Sequence, residues 1–276
     1  MNVAIVTDST ADIPSELAGQ LSISVMPNVM VIDGRSLEDG KGISREEFYN
    51  RLPELKTPPS TGTASTGKYI ALYETLFNHG AEHIISIHAS RHLSGIVNAV
   101  HGAAQAYPGR VHLVDSETVT LGLGFQAIAA AEASARGAVV EEILALLAGM
   151  RKRARVIAML DTLEYVRRSG RVSWAKARLG NFLQIKPFVE VREGVVQSLG
   201  EARTRRKGIQ RLQQFLLQQG ALECLALLHT NAEVEARSLL DGLNIEVPSE
   251  PLVVNITTIV GTHVGPNALG FAAVVK

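Results

Sequence analysis

The chain has 276 residues, 46% of them hydrophobic and 20% charged, with 27 Lys plus Arg balanced by 27 Asp plus Glu and a single cysteine. That length and composition suit one large or two ordinary globular domains with a sizeable core. The even charge argues against a nucleic-acid or polybasic membrane binder, lone Cys224 rules out an intrachain disulfide framework, and no apolar run reaches membrane-spanning length. The N-terminus has no basic region followed by a long apolar run, so a soluble, cytoplasmic protein is expected.

Val3 to Val6 form an apolar run that ends in Thr7-Asp8-Ser9-Thr10-Ala11-Asp12. Buried parallel strands read as continuous apolar runs, and ligands collect at their carboxyl ends. The polar sextet is therefore placed to border a site, the alternative being that Asp8 or Asp12 caps a helix beginning near Pro14. Residues 21–32 alternate weakly and run into Asp33-Gly34, a hairpin signal. Ser44, with Glu47 three residues on, reads as a capping box. The stretch from Pro53 to Thr66 is rich in Pro, Ser, Thr and Gly, and reads either as a solvated connection or as a hydroxyl-bearing wall. A helix over 69–78 follows.

A strand over 83–88, the polar loop Ser90-Arg91-His92-Leu93-Ser94-Gly95 and an amphipathic helix over 96–107 come next. Ser94 and Gly95 fall at the helix start, where free N–H groups and the positive dipole end favour an anion. A strand over 110–114 ends in Asp115-Ser116, and helices over 118–136 and 139–152 complete an alternating strand–helix half, which predicts a parallel sheet. Gly122-Leu123-Gly124 with Ala127 imitates a dinucleotide fingerprint. The glycines lie past the strand end, inside a helix, so close helix packing is their expected use. No Walker-type phosphate loop occurs.

The second half reads as a strand over 156–160, a short helix over 162–168 closed by Ser169-Gly170-Arg171, and a hairpin about Glu193-Gly194. A basic helix over 204–219, a strand over 223–228, a helix over 232–240 and strands over 253–260 and 271–275 follow. The expected class is α/β: an N-terminal parallel-sheet α/β domain over 1–153 and a C-terminal α+β domain over 154–276 with a largely antiparallel sheet.

These pieces together resemble the DegV family of bacterial fatty-acid-binding proteins. The resemblance rests on Thr7-Asp8-Ser9 with Asp12, Leu93-Ser94-Gly95, Asp115-Ser116, Leu163-Glu164-Tyr165 with Ser169-Gly170-Arg171-Val172, Arg203-Thr204-Arg205, and Gly261-Thr262-His263 with Gly265-Pro266. Each is short; six in the same order are specific. The chain departs from the family at Thr61-Gly62-Thr63-Ala64-Ser65, where Thr-Ser-Gln-Pro-Ser is common, at Ile96, where a Thr often stands, and at Val264 and Asn267.

The resemblance implies a long-chain fatty acid in an apolar cavity between the domains, with no cofactor and no metal. It implies carboxylate hydrogen bonds from Thr61, Ser94 and the Gly95 N–H, with His263 beside them. It further implies a non-enzymatic carrier in phospholipid metabolism, which presents the carboxylate to a separate fatty-acid kinase for conversion to an acyl-phosphate and makes transient membrane contact for loading. Arg171, Arg203 and Arg205 become candidates for partner docking or the cavity mouth. Two other readings use the same residues: a serine esterase with Ser94 as nucleophile, His263 as base and Asp8 or Asp115 as orienter, and a small-anion or sugar-phosphate binder. Against the esterase, Leu93 and Gly95 do not make the G-x-S-x-G elbow.

Overall fold

The computed structural model describes residues 2–172, 174–175, 185–241, 247 and 250–276. Strand β1 (Val3–Asp8), β2 (Ser24–Met26), β6 (His83–His88) and β7 (Val111–Asp115) form a sheet in the order β2-β1-β6-β7, with every pair parallel. Helices α3 (Thr66–Asn78), α4 (Ile96–Ala104), α5 (Leu121–Ala135) and α6 (Val140–Arg153) supply much of its cover. Val3, Ile5 and Val6 of β1 and Ile84, Ile85 and Ile87 of β6 are all buried, as strands covered on both faces require.

The second large sheet contains β8 (Ala154–Met159), β9 (Lys186–Arg192), β10 (Val195–Ala202), β11 (Leu222–His229), β12 (Leu252–Asn255) and β13 (Leu269–Val275), in the order β10-β9-β8-β13-β11-β12. All its pairs are antiparallel except β11 with β12. Its outward face carries Ile157, Met159, Phe188, Leu227 and Phe271 into a core with Leu212 and Leu216 of α8 (Arg205–Leu217) and Ala236 and Leu239 of α9 (Glu233–Leu240). The expected mixed α/β class, with one parallel and one largely antiparallel sheet, is the class observed.

A third sheet, β4-β3-β5, joins β3 (Val29–Ile32), β4 (Arg35–Glu38) and β5 (Ser60–Gly62). Asp33 and Gly34, both at positive φ, make the β3–β4 hairpin turn that the sequence predicts. Ser44 Oγ accepts the Glu47 N–H at 3.0 Å and starts α2 (Arg45–Arg51). Although it comes early in the chain, this subdomain packs on C-terminal residues: Met30, Phe48 and Tyr49 share a core with Ile256 and Ile259.

Helix α5 is buried over its whole first half, Leu121 to Ala127, as expected of a helix wedged between two sheets. A side chain on Gly122 would meet Val156 of β8 at 2.6 Å, and one on Gly124 would meet the Ala11 carbonyl oxygen at 2.5 Å. The two glycines thus serve close packing, on one sheet and on the other.

Two expectations are corrected. The apolar, β-branched run 253–260 does not stay a strand. It leaves β12 at Asn255, and α10 (Thr258–Val264) begins after Thr257, whose hydroxyl accepts the Ile259 N–H at 3.2 Å. Tertiary contacts outweigh strand propensity here, because the Tyr49 hydroxyl donates to the Ile256 and Thr257 carbonyls at 2.9 and 3.2 Å. Asp12 does not cap α1 (Ser15–Gln20), whose N-cap is Pro14 with no side-chain bond. It sits in the left-handed region at φ 56 and its Oδ1 accepts the Thr257 N–H at 2.6 Å, with Arg45 Nη1 3.3 Å away. Asp39 accepts from the Thr257 and Thr258 hydroxyls. Two carboxylates from the first forty residues therefore hold the positive end of α10.

Burial pushes the Asp12 carboxyl up to about 7, with Asp39 and Asp8 adding to the rise and Arg45 and the Thr257 N–H opposing it. The native state thus holds a proton on Asp12 where the unfolded chain, titrating at about 3.9, does not. This contribution to stability falls as pH rises from about 4 to 7. We predict that the denaturation midpoint of the unmodified protein, relative to Asp12→Asn, declines between pH 4.5 and pH 8. A pH-independent difference in urea midpoints would refute this.

Candidate functional site

Between the two large sheets lies a cavity of about 590 Å³, within the range of small-molecule sites. The inner face of the antiparallel sheet supplies its apolar wall. Strand alternation sends Val156 and Ala158 of β8, Val189 and Val191 of β9 and Gly270 of β13 toward it, while Ile157, Phe188 and Phe271 face the opposite core. Ile256, Ile259, Val260 and Val264, from the segment leading into and forming α10, close another side.

Thr61, Ser94 and His263 add two hydroxyls and an imidazole to this cavity. Thr61 stands on β5 and pairs with Met30 of β3, so the hydroxyl-rich stretch includes a strand holding a side chain toward the cavity and is not merely a solvated connection. Its Oγ1 lies 3.2 Å from His263 Nε2. His263 is in the last turn of α10, and its Nδ1 is buried with no partner among the described residues. Ser94 ends a tight turn in which the Leu93 and Ser94 N–H groups both donate to the Ser90 carbonyl, at 2.9 and 3.0 Å. Ser94 Oγ accepts from the Ile96 N–H at 3.3 Å and keeps its own proton free to donate. Gly95 is the N-cap of α4. Thr61, Ser94, Gly95 and His263 all line the one cavity, brought together from three distant parts of the chain.

The loop bearing Ser94 is tied to the other half of the chain. Ser90, fully buried, donates through Oγ to the Gly194 carbonyl at 2.7 Å, and the Gly194 N–H donates to the Glu117 carbonyl at 2.9 Å. Gly194 has φ +80, and a side chain there would meet Ser90 Oγ at 2.7 Å. The β9–β10 turn therefore clamps the Ser94 loop.

The three arginines separate. Arg171 lines the cavity and a smaller hollow of about 200 Å³ that shares Thr61, Ser169 and His263 with it and adds Tyr165 and Arg168. Arg203 is exposed just before α8. Arg205 is committed elsewhere, donating to Glu235 at 2.5 and 2.7 Å, to Asp161 at 3.3 Å and to the Asn267 carbonyl at 2.8 Å. Neither Arg203 nor Arg205 is among the residues lining either hollow.

The hydrolase arrangement does not form. The partner of His263 is Thr61. Asp115 faces Arg91 at 2.6 Å, and Asp8 faces His88 Nδ1 at 2.8 Å in a fully buried network that continues through Ser86 to Tyr73. Ser94 and His263 therefore lack the nucleophile–base–carboxylate chain that triad catalysis needs. Among the described residues no cluster of His, Cys, Asp and Glu could hold a metal ion, and no helix is long and apolar enough to cross a membrane.

Sequence reasoning overlooked Asn28, Thr120, His229 and Thr230, which also line the cavity, as do Thr10 of the polar sextet and Thr63 of the hydroxyl-rich stretch. The signal available for Thr230 was position, since it directly follows the end of β11 and strand ends are where α/β proteins build sites. Nothing in the sequence singles out Asn28.

Comparison with known proteins bears on these features. The DegV family model matches residues 2–276. A DegV domain-containing protein of Streptomyces coelicolor is 34% identical, the alignment covering 98% of this chain and 97% of that protein. Protein DegV of Bacillus subtilis is 33% identical over 98% of each chain. Among solved structures, a fatty-acid-binding DegV family protein from Thermus thermophilus superposes with a TM-score of 0.91 at 31% identity, covering all of both chains. DegV of Bacillus subtilis, a fatty acid binding protein, superposes at 0.87 with 31% identity, also over all of both chains.

Burial, reinforced by the charge of Arg171, holds the His263 pKa down to about 4, so the ring is neutral near pH 7. An anion bound beside it would oppose both causes. We predict that His263 titrates near pH 4 in the ligand-free protein, followed by NMR of its ring, and at higher pH once a carboxylate ligand is bound. An ordinary value near 6.5, unmoved by ligand, would contradict the buried neutral ring.

Proposed function

The chain belongs to the DegV family, and from that premise we propose that it binds a long-chain fatty acid in the cavity between its sheets, with the carboxylate hydrogen-bonded at the Thr61–Ser94–His263 cluster. The observation that supports this reading is a cavity of about 590 Å³ whose wall is mostly aliphatic and which is lined by hydroxyls and an imidazole from β5, the Ser94 turn and α10.

The Ser94 hydroxyl keeps its proton and donates it to one carboxylate oxygen. With the tautomer in which His263 Nε2 carries the hydrogen, the ring donates to Thr61 Oγ1 and frees the Thr61 hydroxyl proton for the ligand. The Gly95 N–H, at the start of α4, adds a third donor. Hydrogen bonds to a charged acceptor are about twice as strong as neutral ones, so this cluster fixes which end of the ligand faces outward. The tail supplies most of the affinity, about 0.8 kcal/mol for each buried methylene.

The protein acts in this reading as a cytoplasmic carrier with no chemistry of its own. It presents the carboxylate to a separate fatty-acid kinase, which forms the acyl-phosphate used in phospholipid metabolism, and it loads through transient membrane contact. The N-terminal α/β domain over 1–153 and the C-terminal α+β domain over 154–276 would form the two walls. Arg171 stands at the mouth beside His263 and Arg203 is exposed, so both serve kinase docking. The ion pairs of Arg205 suit it to bracing the docking surface.

Native mass spectrometry of the purified protein should find about one long-chain fatty acid per chain, released on denaturation; a protein that neither carries nor takes up fatty acid refutes the carrier reading. Ser94→Ala should weaken fatty-acid binding by about tenfold. It should also lower acyl-phosphate formation by a fatty-acid kinase. Acyl-phosphate formation at the unmodified rate would count against the carboxylate assignment.

A further inference from the structure

The parallel sheet has a topological switch point. From β1 the chain passes to β2 on one side, and later returns to β6 and β7 on the other, so the carboxyl ends of β1 and β6 diverge and leave a crevice. Thr10, just past β1, and Ala89, just past β6, both line the ligand cavity there. Asn28 and Thr120 line it as well, and they are 1% and 3% exposed. Asn28 Oδ1 and Thr120 Oγ1 make no hydrogen bond to any described residue. Two polar atoms so buried without a partner are a costly arrangement unless something in the cavity meets them.

Asp8 decides what that can be. Its Oδ1 accepts the Thr10 N–H at 3.0 Å, the Thr10 hydroxyl at 2.5 Å and Asn28 Nδ2 at 2.9 Å. The bonds of Asp8 to His88 and Thr10 outweigh the effect of burial and hold its carboxyl below the ordinary range, so it is an anion and can only accept. The Thr10 proton is therefore committed to Asp8, and the Asn28 amide cannot turn over without setting its oxygen against the carboxylate. Thr10 Oγ1 and Asn28 Oδ1 are left with lone pairs alone. Two acceptors backed by a buried anion reject a carboxylate and accept an O–H, and Thr120, whose hydroxyl has no partner among the described residues, can accept from or donate to the same group.

We infer that Thr10, Asn28 and Thr120 form a subsite for one hydroxyl group on the cavity wall, separate from the Thr61–Ser94–His263 cluster; this rests on the fatty-acid reading of the cavity. β3 pairs with β5 so that Met30 faces Thr61 and Val29 faces Gly62. Asn28 immediately precedes β3, two residues before Met30, the partner of Thr61. The hydroxyl therefore belongs to a different part of the ligand from the carboxylate. It comes either from a hydroxylated acyl chain or, with a plain chain, from an ordered water. The same acceptors keep the carboxylate from entering at the wrong place.

The test uses the delipidated full-length protein, with stearic acid and a set of monohydroxystearic acids differing in hydroxyl position as probes. At least one isomer is expected to bind about tenfold tighter than stearic acid, with that advantage lost in Thr120→Val and Asn28→Leu. Asn28→Leu takes a donor from Asp8, so if it does not fold, Thr120→Val decides. If no isomer is preferred but a crystal structure of the stearate complex shows a water bound to Asn28 Oδ1 and Thr120 Oγ1, the subsite stands with water as its hydroxyl. No preferred isomer and no such water overturns the inference, as does a hydroxyl advantage that both folded variants retain. Failure of stearic acid to bind would instead remove the fatty-acid reading, and a water on Asn28 in the ligand-free crystal would then decide the subsite.

Discussion

The position of His263 depends on bonds to side chains more than two hundred residues earlier in the chain. Asp12, at the end of the turn that follows the first strand, accepts the N–H of Thr257, and Asp39 accepts from Thr257 and Thr258, so the amino end of α10 is held by carboxylates of the opposite half of the chain. The helix dipole and the unpaired first-turn N–H groups make this a favourable seat for negative charge. Burial makes the same seat expensive for an ionised Asp12, and its carboxyl responds by holding its proton toward neutral pH. α10 is a short helix of seven residues, and isolated helices of that length are not stable. Its orientation is therefore set by these bonds, by the Tyr49 hydroxyl on the preceding carbonyls and by the packing of Ile259 into the shared core.

A second constraint is the approach of the two sheets. α5 enters between them with Gly122 against Val156 of β8 and Gly124 against the Ala11 carbonyl in the turn after β1, so a side chain at either place would push the helix off that neighbour. Beyond this wedge the sheets diverge and the cavity opens. The antiparallel sheet is filled on one face by α8 and α9 and leaves its other face, with Val156, Ala158, Val189 and Val191, to the cavity. An aliphatic face of this kind gains stability when covered, and under the proposed function an acyl chain would cover it as a core side chain does.

The polar groups around this apolar space are sorted by the direction of their hydrogen bonds. At Ser94 the backbone donates to the hydroxyl, which leaves the proton free; at Thr10 and Asn28 the Asp8 carboxylate takes the donors and leaves lone pairs. Ser94 thus offers a donor while Thr10 and Asn28 offer acceptors, although all are small polar side chains lining one cavity. The neutral, buried His263 adds an orienting partner for Thr61 without placing a fixed charge in the cavity.

Periodicity alone identified the alternating strands and helices of the first half, the hairpins about Gly34 and Gly194, and the close-packing use of the glycines in α5, because each is a local consequence of side-chain spacing, turn chemistry or helix position. The turn at Ser94 and the helix start at Gly95 were legible for the same reason. The strand-rich residues 253–260 misled, since the β-branched pattern of Val253 to Val260 carries no trace of Asp12, Asp39 and Tyr49, which convert its second half to a helix. The mapped cluster of Thr61, Ser94 and His263 came from resemblance rather than spacing, and only the tertiary structure brought the three to one cavity while leaving Arg203 and Arg205 outside it. Asn28 and Thr120 had no signature at all. Their significance lies in which of their hydrogen-bonding atoms are left over once Asp8 and the turns have taken the rest, and that remainder is decided by three-dimensional partners, which a linear sequence does not encode locally.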